Sequence, residues 1–315
     1  MVVRVNVRGI ALLLVSSLFF ACSGPLAKPA MAAGLSPQQV AGARIGLAAL
    51  MLLVGVGVTR PRLLRIHWSD WKLLSAYGLF GVAGVQVLYF AGVSRLPVGI
   101  AMVLEFMSPV LVALWVRFVR KTMLPKTMWL GTALAFAGLT VMAQVWQGLT
   151  LDAIGLLCGI GTALCAASYF LLGEHGVRTK HPLTMVTWGM LIGAVLVVAI
   201  APPWELPLDV LTKDTALGPV WTLIVAIALF GTVLPYTIGM TALRHLPSNV
   251  ASVLAVAEPL IATLYAWVLL NETLGVVQII GGIAILAGAY IAQRASQVRT
   301  QETGDALVST FAGKA

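Results

Sequence analysis

Two acidic residues stand in stretches of the chain that are otherwise suited to an apolar surrounding. Glu105 lies within GIAMVLEFMSPVLVALW, and Glu258 lies within ASVLAVAEPLIATLYAW. Desolvation raises the pKa of a carboxyl group, so a buried acid of this kind can take up and release protons near neutral pH. It can also bind a cationic group of a ligand. The residues leave open which acid has which role, and a carboxylate held only by core hydroxyl groups is the alternative for both.

A third charge, Arg44, lies seven residues into the helix predicted from PQQVAGARIGL. At ~1.5 Å rise per residue, Arg44 lies about 10 Å and Glu105 about 12 Å from the outer end of its predicted helix. Glu258 lies about 16 Å from the inner end of its own helix. An ion pair between Arg44 and Glu105 would lower the cost of burying both charges. Two interpretations stay open for Arg44: it braces one helix against another, or it contacts a ligand.

Two prolines follow the acids closely, Pro109 after four residues and Pro259 after one. Proline lacks an N–H group, so it usually kinks a helix and frees a carbonyl group. We predict helix kinks at both positions, either for packing or to offer carbonyl oxygens near the acids. Other polar side chains that qualify for a central path are Tyr236, Tyr89 and Ser108, with weaker candidates in Ser23, Gln86, Tyr169, Thr237 and Ser252.

The elements that carry these residues must lie in a membrane. Sixty per cent of the 315 residues are hydrophobic and ten per cent are charged, whereas soluble domains carry about 25% charged residues. Apolar runs of about 20 residues span the hydrocarbon core as helices. We predict an all-α polytopic membrane protein with ten spans and a disordered tail at 294–315; the spans are 9–31, 37–58, 73–93, 98–119, 124–144, 151–173, 183–201, 217–242, 247–270 and 273–293.

The basic residues are distributed unevenly between the two sides of the predicted spans. Arg95, Lys213 and Lys28 are on or near one side, and all the others except Arg44, which lies within a span, are on the side of both termini. This is the positive-inside pattern, which predicts cytoplasmic N- and C-termini. The net charge of +9 is thereby explained as a topology signal, and we expect a lipid bilayer but no nucleic acid as partner. Histidines and cysteines do not cluster, so no metal site is expected.

The sequence repeats itself at an offset of 150 residues. SRLPVGIAMVLEFMSPVLVALW from Ser94 aligns without a gap with RHLPSNVASVLAVAEPLIATLY from Arg244. The prolines at 97, 109, 247 and 259 and the glycines at 131, 138, 281 and 288 keep the same register. Each half holds five spans, an odd number, so the second half enters the membrane from the opposite side. We predict two inverted five-helix repeats, residues 1–147 and 148–293.

Inverted repeats with buried carboxylates between them are typical of transporters that use alternating access. Glu105 aligns with Ala255 and Glu258 with Ser108, so a symmetric scaffold would hold an asymmetric site. A repeat that only builds a symmetric bundle is the alternative. A membrane enzyme acting on lipid would need a polar catalytic cluster, and none is evident. The chain has no phosphate-binding glycine loop, which disfavours ATP-driven pumping.

Several motifs carry a family resemblance. PVGIAMVLEF followed by Pro109, LPYTIGMTALRHLP, and AEPL with LNETL make the chain resemble the drug/metabolite transporter superfamily, EamA-type. These motifs and GPLAK in the first span are most similar to the threonine/homoserine exporter branch. The resemblance implies ten helices, no cofactor, and proton-linked export of a small polar metabolite, with amino acids first.

The resemblance also implies a location, the inner membrane of a bacterium, and a state, monomer or homodimer. The alternative within the same superfamily is an exporter of drugs or sugar derivatives. Neither enzymatic activity nor catalytic residues are expected. The proposed substrate- and proton-binding set is therefore Glu105, Glu258 and Arg44 with Tyr236, Tyr89 and Ser108.

Overall fold

A computed structural model describes residues 7–96, 98–147, 152–270 and 275–312. Pro97 and the NETL part of the LNETL motif, residues 271–274, lie outside the described residues. The α-helices are α1 (Val7–Ala21), α2 (Ser23–Ala32), α3 (Pro37–Thr59), α4 (Trp71–Ala76), α5 (Val85–Val93), α6 (Val98–Glu105), α7 (Ser108–Phe118), α8 (Lys126–Met142), α9 (Ala153–Gly176), α10 (Pro182–Ile200), α11 (Leu208–Leu211), α12 (Val220–Ala228), α13 (Leu234–Ala242), α14 (Ser248–Ala255), α15 (Glu258–Leu270) and α16 (Val276–Ala312).

Shorter elements complete the described structure. The strands β1 (Asp214–Thr215) and β2 (Gly218–Pro219) form a small antiparallel ribbon before α12. Turns of 3-10 helix lie at Pro61–Leu64, Trp68–Asp70, Val145–Gln147 and Pro203–Glu205, and π-helical segments at Tyr77–Gly84 and Leu229–Val233.

Local sequence explains where several helices begin. Ser36 caps α3: its hydroxyl accepts from the Gln39 N–H at 3.2 Å, and the Gln39 side chain accepts from the Ser36 N–H at 2.9 Å. The Asp152 carboxylate caps α9 by accepting from the Gly155 N–H at 2.7 Å. Such caps satisfy backbone donors that the first helical turn leaves free. These two helices therefore start where the sequence supplies an acceptor.

The prediction of an all-α polytopic membrane protein is confirmed. Eight helical stretches among the described residues are long and apolar enough to cross a membrane. They coincide with eight of the ten predicted spans. The other two predicted spans correspond to the 17-residue α8 and to Val276–Ala292 of α16, which is apolar but shorter.

The segment after the last predicted span differs from expectation. The sequence predicts a disordered tail from Arg294, but the structure continues α16 to Ala312. Between Val276 and Ala312 there is no proline and, beyond Gly288, only one glycine, Gly304. Nothing in this stretch breaks the helix, so hydrogen bonding continues beyond the apolar part.

The helix packing follows the internal repeat. The pair α8 and α16 and the pair α3 and α10 each join equivalent spans of the two halves. The helix α1 packs on α13 and α15, and its counterpart α9 packs on the counterparts of those helices, α5 and α7. The two halves are therefore related by a pseudo-two-fold arrangement.

Glycines form the close contact between α8 and α16 in this arrangement. A Cβ atom at Gly131 would lie 2.6 Å from the carbonyl oxygen of Gly288, and one at Gly138 would lie 2.7 Å from that of Gly281. Gly131 and Gly138 occupy the repeat positions of Gly281 and Gly288, so the two contacts are images of each other. The helices run antiparallel, and a two-fold axis relating antiparallel helices is perpendicular to both. This is the geometry of an inverted repeat, and the glycines allow the two helices to pack closely.

One end of the bundle is rich in charge, and we call it the basic end (Arg60, Arg120, Arg178 and Arg244). Its centre is the buried Glu174, which is 4% exposed. The Glu174 carboxylate accepts from Arg120 at 2.7 Å, from Arg178 at 2.5 Å and from the Ser248 backbone N–H at 3.2 Å. Arg120 follows α7 and Ser248 begins α14, so Glu174 ties the two halves together here.

Further contacts close the basic end. Lys180 donates to Asp70 at 2.6 Å, and the Thr184 hydroxyl donates to the Leu63 carbonyl at 2.9 Å. His181 caps α10 through Nδ1, which accepts from the Leu183 N–H. Burial, together with the nearby Arg244 and Arg60, lowers the pKa of His181. The neutral imidazole that the cap requires is thus favoured.

Candidate functional site

The three buried charges are positioned by three different helices. Arg44 lies in the second turn of α3, downstream of the Ser36 cap. Glu105 is the last residue of α6, and Glu258 is the first residue of α15. Both acids therefore stand at a helix end in the middle of a predicted span.

The fold brings these charges into one region. The Arg44 guanidinium interacts electrostatically with both carboxylates and with the phenols of Tyr89 and Tyr236. Glu105 and Glu258 also interact with each other. Five of the six side chains proposed for the site thus lie within electrostatic reach of one another.

The expected ion pair between Arg44 and Glu105 is absent from the structure. Among the described residues, no carboxylate oxygen of Glu105 or Glu258 lies within 4.0 Å of an Arg44 nitrogen. All three side chains nevertheless keep part of their surface exposed, although they lie deep in the bundle. The three charges therefore lie near one another without direct contact, and each keeps part of its surface exposed.

The helix interruptions beside the acids are equivalent in the two halves. The helix stops at residues 106–107 between α6 and α7, and at residues 256–257 between α14 and α15. In an unbroken helix, Pro109 would donate to the Glu105 carbonyl and Pro259 to the Ala255 carbonyl. Neither proline can do so. The carbonyl groups of Glu105 and of its repeat counterpart Ala255 therefore lack the N–H donor that a continued helix would supply.

Aromatic rings line the same region. Tyr236 is 6% exposed, and its ring packs edge-on against Phe20 at 5.0 Å and Tyr169 at 5.5 Å. The Tyr169 ring lies 5.9 Å from that of Tyr77. Gln86, the repeat counterpart of Tyr236, approaches the Tyr236 hydroxyl with its side chain. The two halves therefore meet beside the buried charges.

The remaining proposed residues differ in their surroundings. Tyr89 on α5 is partly exposed and interacts electrostatically with Glu105 and Arg44. Ser108, the first residue of α7, is 4% exposed, and its hydroxyl group adds no charge to the site.

Two features of this region are not among those predicted from the sequence. The π-helical segments Tyr77–Gly84 and Leu229–Val233 overlap when shifted by the repeat offset, and they precede the helices of Tyr89 and Tyr236. Such segments frequently occur at functional sites, but no residue pattern predicts them. The pairing of Gln86 with Tyr236 was detectable, because the offset of 150 residues relates them directly.

Comparison with known sequences gives consistent matches over most of the chain. A profile of the EamA-like transporter family matches residues 7–144 and again residues 153–293. The threonine/homoserine exporter RhtA of Escherichia coli K12 is 30% identical over 257 residues, which cover 78% of this chain and 80% of that protein. RhtA of Salmonella typhimurium SL1344 is 29% identical over 252 residues, with the same coverage.

More distant matches extend further along the chain. The uncharacterized transporter YyaM of Bacillus subtilis 168 is 27% identical over 269 residues, covering 82% of this chain and 84% of that protein. A protein crystal structure with 18% sequence identity superposes with a TM-score of 0.74, covering 92% of this chain and 97% of the other. At that identity the superposition speaks for the fold alone.

Proposed function

Because the chain belongs to the EamA-like transporter family, we propose that it is a proton-coupled secondary exporter of small polar metabolites, with amino acids of the threonine and homoserine type as first candidates. The substrate class is supported by the RhtA proteins, which are named as threonine/homoserine exporters. In this proposal residues 1–147 and 148–293 are the two repeats that move relative to each other.

The observation that carries the proposal is the convergence of Glu105 and Glu258, which interact with each other and with Arg44. Each half contributes one acid, and each acid lies at an interrupted helix, one and four residues before a proline for Glu258 and Glu105 respectively. Interrupted helices at a repeat interface near the bilayer midplane are typical of sites for substrates and coupling ions in alternating-access transporters. This arrangement supports a site on which both halves can act.

The chemistry of the acids fits proton coupling. A protonated carboxyl group is neutral, so it is tolerated in the closed, low-dielectric state in which neither side of the membrane is accessible. An ionised carboxylate attracts the ammonium group of a substrate. Substrate and proton would then compete for one acid, so that release of the proton permits binding of the substrate. Glu105 is the first candidate for the proton carrier, and Glu258 is the rival.

The test uses purified protein in proteoliposomes, with radiolabelled threonine and homoserine and an imposed pH difference. Glu105→Gln is nearly isosteric with the protonated acid, so packing should survive. We expect this variant to lose concentrative transport but to keep exchange of substrate between the two sides. With one proton per substrate, a difference of one pH unit supports about tenfold accumulation in the wild type.

Two further variants make the result specific. Glu258→Gln in the same vesicles shows whether the second half supplies the carrier, and the exposed Glu205→Gln serves as the control. If both Glu105→Gln and Glu258→Gln still concentrate substrate, neither acid carries the proton. If the wild type transports drugs or sugar derivatives but no amino acid, the alternative within the superfamily replaces the proposed substrate class.

A further inference from the structure

Among the described residues, none forms an ion pair or a hydrogen bond with the side chain of Arg44. Its Nε atom is inaccessible to solvent and has no hydrogen-bond acceptor, and no described residue accepts a hydrogen bond from the rest of its guanidinium group. A guanidinium carries five N–H donors and stays charged at any physiological pH. Buried groups of this kind are normally paired. The arginine therefore lacks the acceptors that its position in the bundle requires.

The surroundings of Arg44 offer charges but no direct contact. The residue is partly exposed, and both carboxylates interact with the guanidinium only from beyond 4.0 Å. If Arg44 merely braced α3 against α6, it would contact Glu105 directly. Instead, the guanidinium remains available to an acceptor that is not part of the chain.

We propose that Arg44 binds the carboxylate group of the substrate, while Glu105 or Glu258 binds its ammonium group. This inference rests on the proposed transport function and narrows its substrate class to compounds that carry both charges. A carboxylate matches the planar N–H fork of arginine, which can donate two parallel hydrogen bonds to it. The bound substrate would thus supply the missing acceptors.

The asymmetry of the two halves supports a fixed orientation of this ligand. The repeat counterpart of Arg44 is Ala194, and those of Glu105 and Glu258 are Ala255 and Ser108. The site therefore has a cationic side and an anionic side, and no second arginine at the equivalent position. A zwitterion can satisfy both sides in only one direction.

Charge balance then predicts selectivity. A compound without the carboxylate leaves Arg44 unpaired in the closed site, and one without the ammonium group leaves an acid unpaired. Sites built to bind a polar group reject analogues that lack it far more strongly than apolar pockets reject a missing methylene. L-Threonine should bind, whereas L-threoninamide and 3-hydroxybutyrate should bind at least about 100-fold more weakly.

The experiment measures binding of these three compounds by titration calorimetry to purified protein in lipid nanodiscs. Arg44→Gln should weaken threonine binding at least about tenfold and abolish the preference for threonine over threoninamide. Arg44→Lys keeps the charge but not the two-pronged geometry, and it should reduce that preference at least about tenfold. The exposed Arg62→Gln is the matched control and should leave both affinities unchanged.

The ratio of the affinities for threonine and threoninamide distinguishes a role of Arg44 in ligand binding from a role in bracing the helices. A merely structural role of Arg44 would lower thermal stability or the amount of active protein, but the remaining active protein would keep its preference. If Arg44→Gln does not fold, Arg44→Lys gives the ratio. An unchanged preference in a folded Arg44 variant overturns this inference and leaves the transport proposal intact. Failure of the wild type to bind or transport any α-amino acid overturns both.

Discussion

At the scale of single residues, Glu174 shows how the chain uses a buried charge for structure. The 4% exposed carboxylate is shared by Arg120, Arg178 and the first N–H of α14. A carboxylate at a helix N-terminus also interacts favourably with the helix dipole. Glu174 thus contrasts with Arg44, since every side of its charge is compensated by the protein itself.

Replacement of Glu174 by alanine should strongly destabilise the protein. The change removes the acceptor shared by Arg120, Arg178 and the first N–H of α14, and a hydrogen bond to a charged group contributes about 1.5–3 kcal/mol. We expect a lower midpoint of thermal unfolding in detergent, measured by intrinsic fluorescence. The exposed Glu205→Ala is the control, with a change within about 0.5 kcal/mol. Equal midpoints for the two variants would show that the cluster does not stabilise the fold.

At the scale of elements, the contact between α8 and α16 joins the two halves through backbone. No side chain separates the helices at Gly138 and Gly281, so the contact depends on the absence of Cβ atoms. Backbone carbonyls cannot rotate away as a flexible side chain can. The distance between the two helices is therefore fixed by glycine.

Alanine at this contact should push the two helices apart. A Cβ at Gly138 would lie 2.7 Å from the Gly281 carbonyl oxygen, and one at Gly281 would lie 2.6 Å from that of Gly138. We expect each variant to lose about 1–3 kcal/mol, measured by thermal unfolding. The double variant should lose less than the sum, because both changes open the same contact.

Gly55→Ala on α3 is the matched control for this series. A Cβ at Gly55 meets nothing within 4 Å, and alanine favours the helix over glycine by about 0.5–1 kcal/mol. This variant should be neutral or slightly stabilised. Equal destabilisation at Gly55 and Gly138 would mean that the close helix contact is not the cause.

At the scale of the whole molecule, the repeat and the charge distribution predict one orientation in the membrane. The basic end, with Arg60, Arg120, Arg178 and Arg244, should face the cytoplasm. The opposite end, which includes the 3-10 turn Pro203–Glu205 and the β1–β2 ribbon, should face outward. Both termini should then be cytoplasmic.

Cysteine labelling in intact bacteria tests this orientation. In a variant without Cys22, Cys158 and Cys165, we would introduce Arg62→Cys and Asp209→Cys, both at exposed positions. A membrane-impermeant maleimide should label Asp209→Cys in intact cells and Arg62→Cys only after the membrane is opened. Labelling of both from outside would contradict the predicted topology.

The sequence predicts the scaffold better than the site, for physical reasons. Hydrocarbon thickness sets the span length, so hydropathy alone locates the helices, and the constant offset exposes the repeat. The pairing of Glu174 with Arg178 can be inferred from the sequence, because four residues separate them, but the contact of Glu174 with Arg120 depends on tertiary packing. The same holds for Arg44 and Glu105: their similar depth can be estimated from the sequence, whereas the separation of their charged groups by more than 4.0 Å depends on how the helices pack.

The pairing of Gln86 with Tyr236 bears on the origin of the molecule. A homodimer built from one repeat would show every feature in duplicate, and a residue near its axis would meet its own copy. Such a dimer of the first half would hold two copies of Arg44 and two of Glu105, and no mutation could change one copy alone. Fusion of two repeats into one gene removes this restriction, so an amide can come to face a phenol and one arginine can come to face two acids. Fusion into a single chain therefore allows the two sides of the site to differ, so that the site can favour one orientation of its ligand.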